Sequence, residues 1–242
     1  MKKILLVLSV LMVSLWANPK VLMVATSHDT LGKSGEETGI WLSEFTHAYI
    51  EFEKAGFDIV VASPVAKNIP IDKRSIKNTD KESLEFLTNP EKRAIFDNSK
   101  ALSEVKKENF DIIYLVGGHG VMWDFPQNSD LKQILVKMAE KQNIISAVCH
   151  GPSGFIDVNY ENGKSIIEGI KITGFSNTEE DAIKFTKHVP FSLEDELVRD
   201  GAIYSQAKKD FDSHIVVDKN FVTGQNPASA KAVALQVVQK LK

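Results

Sequence analysis

The stretch Ile144 to Phe155, IISAVCHGPSGF, constrains this chain more than any other. Its β-branched apolar run, Ile144 to Val148, reads as a strand buried on both faces, and such strands belong to parallel sheets covered by helices. Cys149 and His150 come next, and then Gly151-Pro152, which cannot continue a strand. Proline suits the first turn of a helix, where its missing N–H is no loss. A cysteine on so sharp a strand-to-helix turn is pushed out beyond the sheet, as at a nucleophile elbow. The free N–H groups and positive dipole end of a following helix favour its thiolate. The alternative is that Cys149 is a small buried hydrophobe; the His-Gly-Pro that follows it argues for the elbow.

The flanking sequence repeats the strand-and-helix theme. Lys20 to Thr26 reads as the first buried strand. From Thr38 to Ala55 the apolar positions Trp41, Phe45, Ala48, Tyr49 and Phe52 recur at helical spacing, and Gly56 stops the helix before the strand Phe57 to Ala62. Glu44 falls on the apolar face of that helix. A carboxylate there is costly without a partner, and burial raises its pKa until it can donate a hydrogen bond. Residues 64–109 are polar, carry three prolines and read as an insertion over one edge, not a separate domain. Asp111 to Val116 forms another strand, running into Gly117-Gly118-His119-Gly120. Glycines at the carboxyl end of a parallel strand let backbone N–H groups face the crevice, and this turn with the His150 amide can form an oxyanion hole. His119 is open between ligand, substrate contact and turn residue.

A helix over Ser129 to Lys141 returns the chain to the elbow strand. Beyond it come a short strand at Gly169 to Gly174 and a helix starting within Phe175 to Asp181, with Thr178 as N-cap and Glu179, Glu180 and Asp181 in its acidic first turn. A further helix opens at Pro190 and runs through Arg199. A hairpin joins Ile215–Asp218 to Phe221–Thr223, and Pro227 to Leu241 closes the chain as a helix. The expected fold class is α/β, with a central, mostly parallel sheet and helices on both faces.

With a net charge of −3 and its basic residues scattered, the chain shows no electrostatic footprint for nucleic acid. One cysteine excludes an internal disulfide and a thiolate zinc cluster. Residues 1–17 stand apart: Lys2-Lys3, an uncharged run from Ile4 to Trp16, then Ala17. This is the pattern of a secretory signal peptide, with cleavage after Ala17 and export to the periplasm as the expectation. An uncleaved anchor is the alternative, although the run falls short of the roughly 20 residues a membrane span needs. Residues 18–242 read as a single domain without stable membrane insertion.

A Cys-His pair needs a carboxylate to orient the imidazole, and spacing does not say which acid supplies it, because triads assemble in space. Five motifs bear on this: the elbow AVCHGP, the GGHGVMWDFP loop, the TGIWLSEF helix, TGFSNTEED and the closing VTGQNPAS. Together they resemble the DJ-1/PfpI superfamily, and within it the Hsp31-like branch of glutathione-independent glyoxalases. The resemblance runs from about Val21 to about Val237. It implies a flavodoxin-like, class I glutamine amidotransferase-type fold and a Cys-His-Glu site that converts methylglyoxal, a 2-oxoaldehyde, and water to D-lactate. It implies no cofactor and no metal, and a homodimer. By the same resemblance Cys149 is the nucleophile, His150 the acid/base and Glu44 the hydrogen-bond partner of the sulfur. Glu180 is the third member, with Glu179 one residue away as the alternative. The amides of Gly118 and His150 match its oxyanion hole. Apart from the resemblance, Trp41, Trp123 and Phe175, with His119, are candidates to wall a small substrate pocket, a core position being the alternative for the helical Trp41. The chain departs from the family's pattern at Val116, where many relatives carry proline, and in its export signal. Other readings of the same cysteine are a stress-response chaperone or redox sensor, a protein deglycase, and an amide or peptide hydrolase.

Overall fold

The computed structural model describes residues 18–66, 68–77 and 79–241; the proposed leader and its cleavage site at Ala17 lie outside them. The strands are β1 (Lys20–Val24), β2 (Asp58–Ser63), β3 (Lys100–Ala101), β4 (Ile112–Leu115), β5 (Ile144–Val148), β6 (Lys171–Ile172), β7 (Ile203–Tyr204), β8 (Ile215–Asp218) and β9 (Phe221–Gly224). The helices are α1 (Leu42–Lys54), α2 (Lys73–Lys77), α3 (Lys81–Thr88), α4 (Pro90–Asp97), α5 (Leu102–Val105), α6 (Val121–Asp124), α7 (Ser129–Glu140), α8 (Asn177–Ala182), α9 (Leu193–Arg199) and α10 (Ala230–Lys240).

Seven strands form one sheet in the order β3-β2-β1-β4-β5-β9-β8, parallel except for β8, which pairs antiparallel with β9. β6 and β7 pair separately. The α/β class expected from the sequence is the class observed. Every residue of β4 and β5 is buried, as strands covered on both faces must be. Helices α1 and α10 pack together on one face and α7 covers β5 on the other. Winding reverses between β1 and β4. The carboxyl ends of β4, at that switch point, and of its neighbour β5 carry the Gly117 turn and Cys149, close to where open α/β sheets leave a crevice.

The stretch 64–109 supplies α2 to α5 and the two-residue strand β3, which extends the sheet beside β2. Its first part reaches back to the crevice: the Ile40 N–H donates to Pro70 O at 2.9 Å and the Asp72 N–H to Ile40 O at 3.0 Å. These bonds, with the Trp41 N–H donating to Gly117 O at 3.1 Å, hold Thr38 to Trp41 extended. Helix α1 therefore starts at Leu42, four residues later than its apolar spacing predicts. Leu42, Phe45, Ala48 and Phe52 turn into the core, each large side chain contributing roughly 1.5–3 kcal/mol by burial.

Two other elements differ from expectation. The segment after the elbow is a single 3₁₀ turn, Gly151–Phe155, rather than a helix, and the chain leaves it extended at Ile156. The Ile156 N–H closes back on Ser153 O, so no α-helical ladder propagates. Helix α8 is capped by Ser176, not Thr178: the Ser176 hydroxyl accepts the Glu179 N–H at 3.2 Å and the Glu179 carboxylate accepts the Ser176 N–H at 3.1 Å, a reciprocal capping box.

Asp124, at the end of α6, accepts from the Thr26 hydroxyl at 2.8 Å and the Ser27 N–H at 2.7 Å. Burial outweighs these bonds and lifts its carboxyl to about 6. With a folded pKa above the unfolded one, the folded chain holds a proton between about 4 and 6 that the unfolded chain has released. Stability therefore falls as pH rises through that window and stays lower above it. Against Asp124→Asn, which does not titrate, wild type should lose on the order of 2–3 kcal/mol between pH 4 and pH 7. Urea unfolding of both proteins at the two pH values measures this; a constant difference between them would contradict it.

Candidate active site

Cys149 follows β5 with φ +58, a left-handed conformation unusual for a side-chain-bearing residue. The turn is pinned on both sides: the Cys149 N–H donates to Gly224 O at 2.9 Å and Cys149 O accepts the Phe175 N–H at 2.8 Å. The thiol is only 3 % exposed and lies 3.2 Å from His150 Nδ1. His150 Nε2 is 2.8 Å from Glu180 Oε2, while His119 Nε2 is 3.0 Å from Glu180 Oε1. One carboxylate thus receives two imidazoles, one on each oxygen. Burial opposes ionisation of Glu180, but the two imidazoles outweigh it and hold the carboxyl well below the usual range.

The tautomers follow from this acceptor. An ionised carboxylate only accepts, so each histidine donates from Nε2, and a neutral ring then presents a bare Nδ1. At His150 that lone pair meets the Cys149 thiol. At His119 Nδ1 is buried without a partner, beside the Cys149 cavity. Burial, reinforced by the nearby His150, pulls the His119 pKa down to about 4, so this ring is neutral at ordinary pH.

Glu44 is fully buried on the first turn of α1. Its polar neighbours are the Cys149 thiol and the Gly117 N–H, but neither closes a well-aligned hydrogen bond and both carboxyl oxygens are unsatisfied. Burial pushes the Glu44 carboxyl well above the usual carboxylate range; it is a protonated acid able to donate toward sulfur. Burial also pushes the Cys149 thiol up, while the Gly118 N–H acts in the thiolate's favour, as does a Glu44 carboxyl that donates toward sulfur.

Two glycines make the close approach possible. A Cβ on Gly117 would lie 2.4 Å from Glu44 Oε2 and 2.8 Å from Cys149 Cβ. Gly118 has φ +105, and a Cβ there would sit 2.3 Å from Gly39 O and 2.5 Å from Trp41 N. The Gly118 N–H faces the sulfur, and among the described residues neither it nor the His150 N–H has a backbone acceptor. Gly118→Ala should cost about 2 kcal/mol or more, from backbone strain and the clash together. Chemical denaturation checks this, and a variant as stable as wild type would contradict it.

The cavity over Cys149 holds about 110 Å³ and is walled by Trp41, Phe175, Ile183, Phe211 and Pro227, with Gly118, His119 and His150 at its polar end. Trp123 is not among them. The hydrogen bonds of its neighbour Asp124 hold α6 against the β1 loop, so Trp123 stacks on His28 at 5.0 Å between ring centroids and faces a separate groove beside Lys33 and His188. Glu179 does not reach the histidines. Its Oε1 accepts from the Phe211 N–H and from Asn226 Nδ2, each at 2.8 Å. Phe211, Ile183 and Pro227 were not singled out from the sequence; the Pro227 motif, VTGQNPAS, was the one available signal. The ligand atoms of His119, His150 and Glu180 lie within 4.8 Å of one another, a spacing that could hold a divalent cation.

The family model for DJ-1/PfpI matches residues 37–240. The chain belongs to the DJ-1/PfpI family. Within it, the chain is 32 % identical over 230 residues to Glyoxalase 3 of Candida albicans, covering 90 % of this chain and 97 % of that protein. It is 30 % identical to the glutathione-independent glyoxalase HSP31 of Saccharomyces cerevisiae, over 93 % of this chain and 99 % of the other. Among solved structures, Rapid Encystment Protein 24 KDa of Francisella tularensis superposes with TM-score 0.89 at 41 % identity, covering 93 % and 99 % of the two chains. The glyoxalase III of Candida albicans superposes with TM-score 0.84 at 31 % identity, covering 91 % and 96 %. The resemblance to Hsp31-like proteins of the DJ-1/PfpI family, drawn from the motifs, is what these comparisons find.

Proposed function

We propose that this protein is a glutathione-independent glyoxalase, converting methylglyoxal and water to D-lactate with Cys149 as nucleophile. The observation that carries the reading is the chain of contacts from the Cys149 thiol through His150 to Glu180, set beside the protonated carboxyl of Glu44. Relatives that bear the name glyoxalase support it.

Attack on the aldehyde carbon forms the S–C bond while the thiol proton passes to His150 Nδ1, the bare nitrogen facing it. The new oxyanion takes hydrogen bonds from the free N–H groups of Gly118 and His150 and is then protonated to a hemithioacetal. A proton leaves the former aldehyde carbon and reaches its neighbour through an enediol, with His150 as the base and Glu44 as the acid. His119 Nδ1 accepts the hydroxyl hydrogen of the adduct. The product of this step is a thioester; water adds to it, the S–C bond breaks, and the sulfur recovers its proton from His150. Atoms balance with water as the one co-reactant, and the hydride equivalent stays within the substrate.

A redox-sensing cysteine is exposed and acidic. Cys149 is buried with its pKa raised, which argues for chemistry on a bound substrate instead. The cavity admits a three-carbon oxoaldehyde more readily than a glycated peptide. The test is an enantioselective lactate assay with methylglyoxal in the absence of glutathione. Enantiopure D-lactate is expected; racemic lactate at the uncatalysed rate would overturn the reading. Export to the periplasm is proposed on residues 1–17 alone, and cell fractionation tests it. No helix among the described residues is long and apolar enough to cross a membrane.

A further inference from the structure

We propose that Phe211 is the specificity-determining residue of the Cys149 site, a ring clamped across the cavity mouth by Glu179 and Asn226 that limits entry to small, compact carbonyl compounds. Phe211 lies in the ten-residue connection between β7 and β8. It lines the cavity of about 110 Å³ over the thiol, yet it is 46 % exposed. A side chain that is half in a pocket and half in water stands at its entrance. Its ring centroid is 6.4 Å from that of Phe175 on the opposing wall.

The backbone beneath the ring is held against its own preference. Phe211 has φ +66, where a bulky residue is strained, and such strain persists only when the surroundings over-determine it. Here they do. The Phe211 N–H donates to Glu179 Oε1 at 2.8 Å. Asp210 before it accepts from the Thr178 hydroxyl at 2.6 Å, and the Asp212 carbonyl after it accepts from Asn226 Nδ2 at 2.8 Å. Asn226 also donates to the same Glu179 oxygen, and the Ala207 N–H donates to Gln225 Oε1 at 2.7 Å. Three consecutive residues are thus tied to α8 and to the turn after β9. Adjacent acids on α8 divide the labour: Glu180 orients the histidines, and Glu179 positions the ring above them.

The other side walls, Trp41, Phe175, Ile183 and Pro227, are apolar and carry no charge, so the mouth excludes by size and not by charge. A methyl substituent fits beneath the ring; an aryl group or a tripeptide adduct meets it. The substrate arm of the test rests on the proposed glyoxalase reading, whereas a labelling arm does not. Cys149 is the one cysteine of the chain, so thiol labelling reports this site alone. In Phe211→Gly the mouth opens and the residue now suits its positive φ, so folding is not at stake. The rate of labelling by N-phenylmaleimide relative to iodoacetamide should rise roughly tenfold or more, and kcat/KM for phenylglyoxal relative to methylglyoxal by a similar factor. Glu179→Gln, which weakens the clamp and leaves the ring, should move both ratios in the same direction by less. Both ratios within twofold of wild type in Phe211→Gly would overturn the proposal. A shifted labelling ratio in a protein that turns over no 2-oxoaldehyde would sustain the gate and overturn the glyoxalase reading.

Discussion

Cys149→Ala should abolish enantioselective lactate formation, with kcat/KM for methylglyoxal falling by roughly 10³-fold or more, about 4 kcal/mol of transition-state stabilisation. The loss is that large because, in the proposed mechanism, the sulfur is bonded to the substrate in every intermediate between the first addition and the final hydrolysis. What remains, two free N–H groups and an acid, can polarise a carbonyl but cannot hold it. Folding should survive, since alanine keeps the small volume, and the strained φ of +58 is no harsher for it than for cysteine. Circular dichroism would establish that the variant is folded, and a chiral lactate assay would read the activity. Residual D-lactate at more than a tenth of the wild-type rate would mean that another group carries the covalent step, or that the reaction needs none.

The second large effect should come from Glu180→Gln. The carboxylate accepts one Nε2–H from each histidine. An amide offers one oxygen and one NH₂, so one ring must turn its proton to Nδ1. If that ring is His150, an N–H faces the thiol and the base is gone. If it is His119, a donor replaces the acceptor in the cavity. Loss of the carboxylate's charge also removes what stabilises an imidazolium formed during attack. A triad acid replaced by its amide costs up to roughly 10⁴ in kcat through the wrong tautomer, and a loss of at least about 10³ is expected here, with KM changed little. Steady-state kinetics on 2-oxoaldehyde substrate decide it. Activity within threefold of wild type would show that His150 needs no carboxylate. Glu179→Gln is the internal comparison, because its carboxylate holds a loop and touches neither histidine.

The two effects differ in kind. Removing Cys149 removes the bond-forming atom; changing Glu180 leaves every reacting atom in place and alters only where two protons sit. A protein in which the first substitution was severe and the second mild would keep its nucleophile but draw its base from elsewhere.

The order of elements was legible in the sequence because it follows from local rules. Apolar runs rich in β-branched residues, such as Ile112–Leu115 and Ile144–Val148, read as strands buried on both faces, and the spacing Phe45, Ala48, Phe52 as one helix face. From these the parallel α/β sheet follows. Glu44 was conspicuous for the same reason, as an acid on that apolar face, and the Gly117-Gly118 turn as glycine where backbone must face a site. What the sequence could not determine were the properties that arise between segments. Glu179 and Glu180 are chemically the same and adjacent, but about 100° of helix rotation separates them, and only packing shows that one faces the histidines and the other the Phe211 loop. Trp123 lies within the GGHGVMWDFP motif, yet the bonds of Asp124 to Thr26 and Ser27, nearly a hundred residues earlier, turn it away from the thiol. At Cys149 the local signal, a turn into a helix, favours a thiolate, but the surroundings of the sulfur come from afar: burial pushes the thiol up, and Glu44 arrives from α1 more than a hundred positions away. Local steric and hydrophobic rules act within a few residues and are written in the chain; electrostatics and side-chain direction depend on distances that exist only once the sheet has closed.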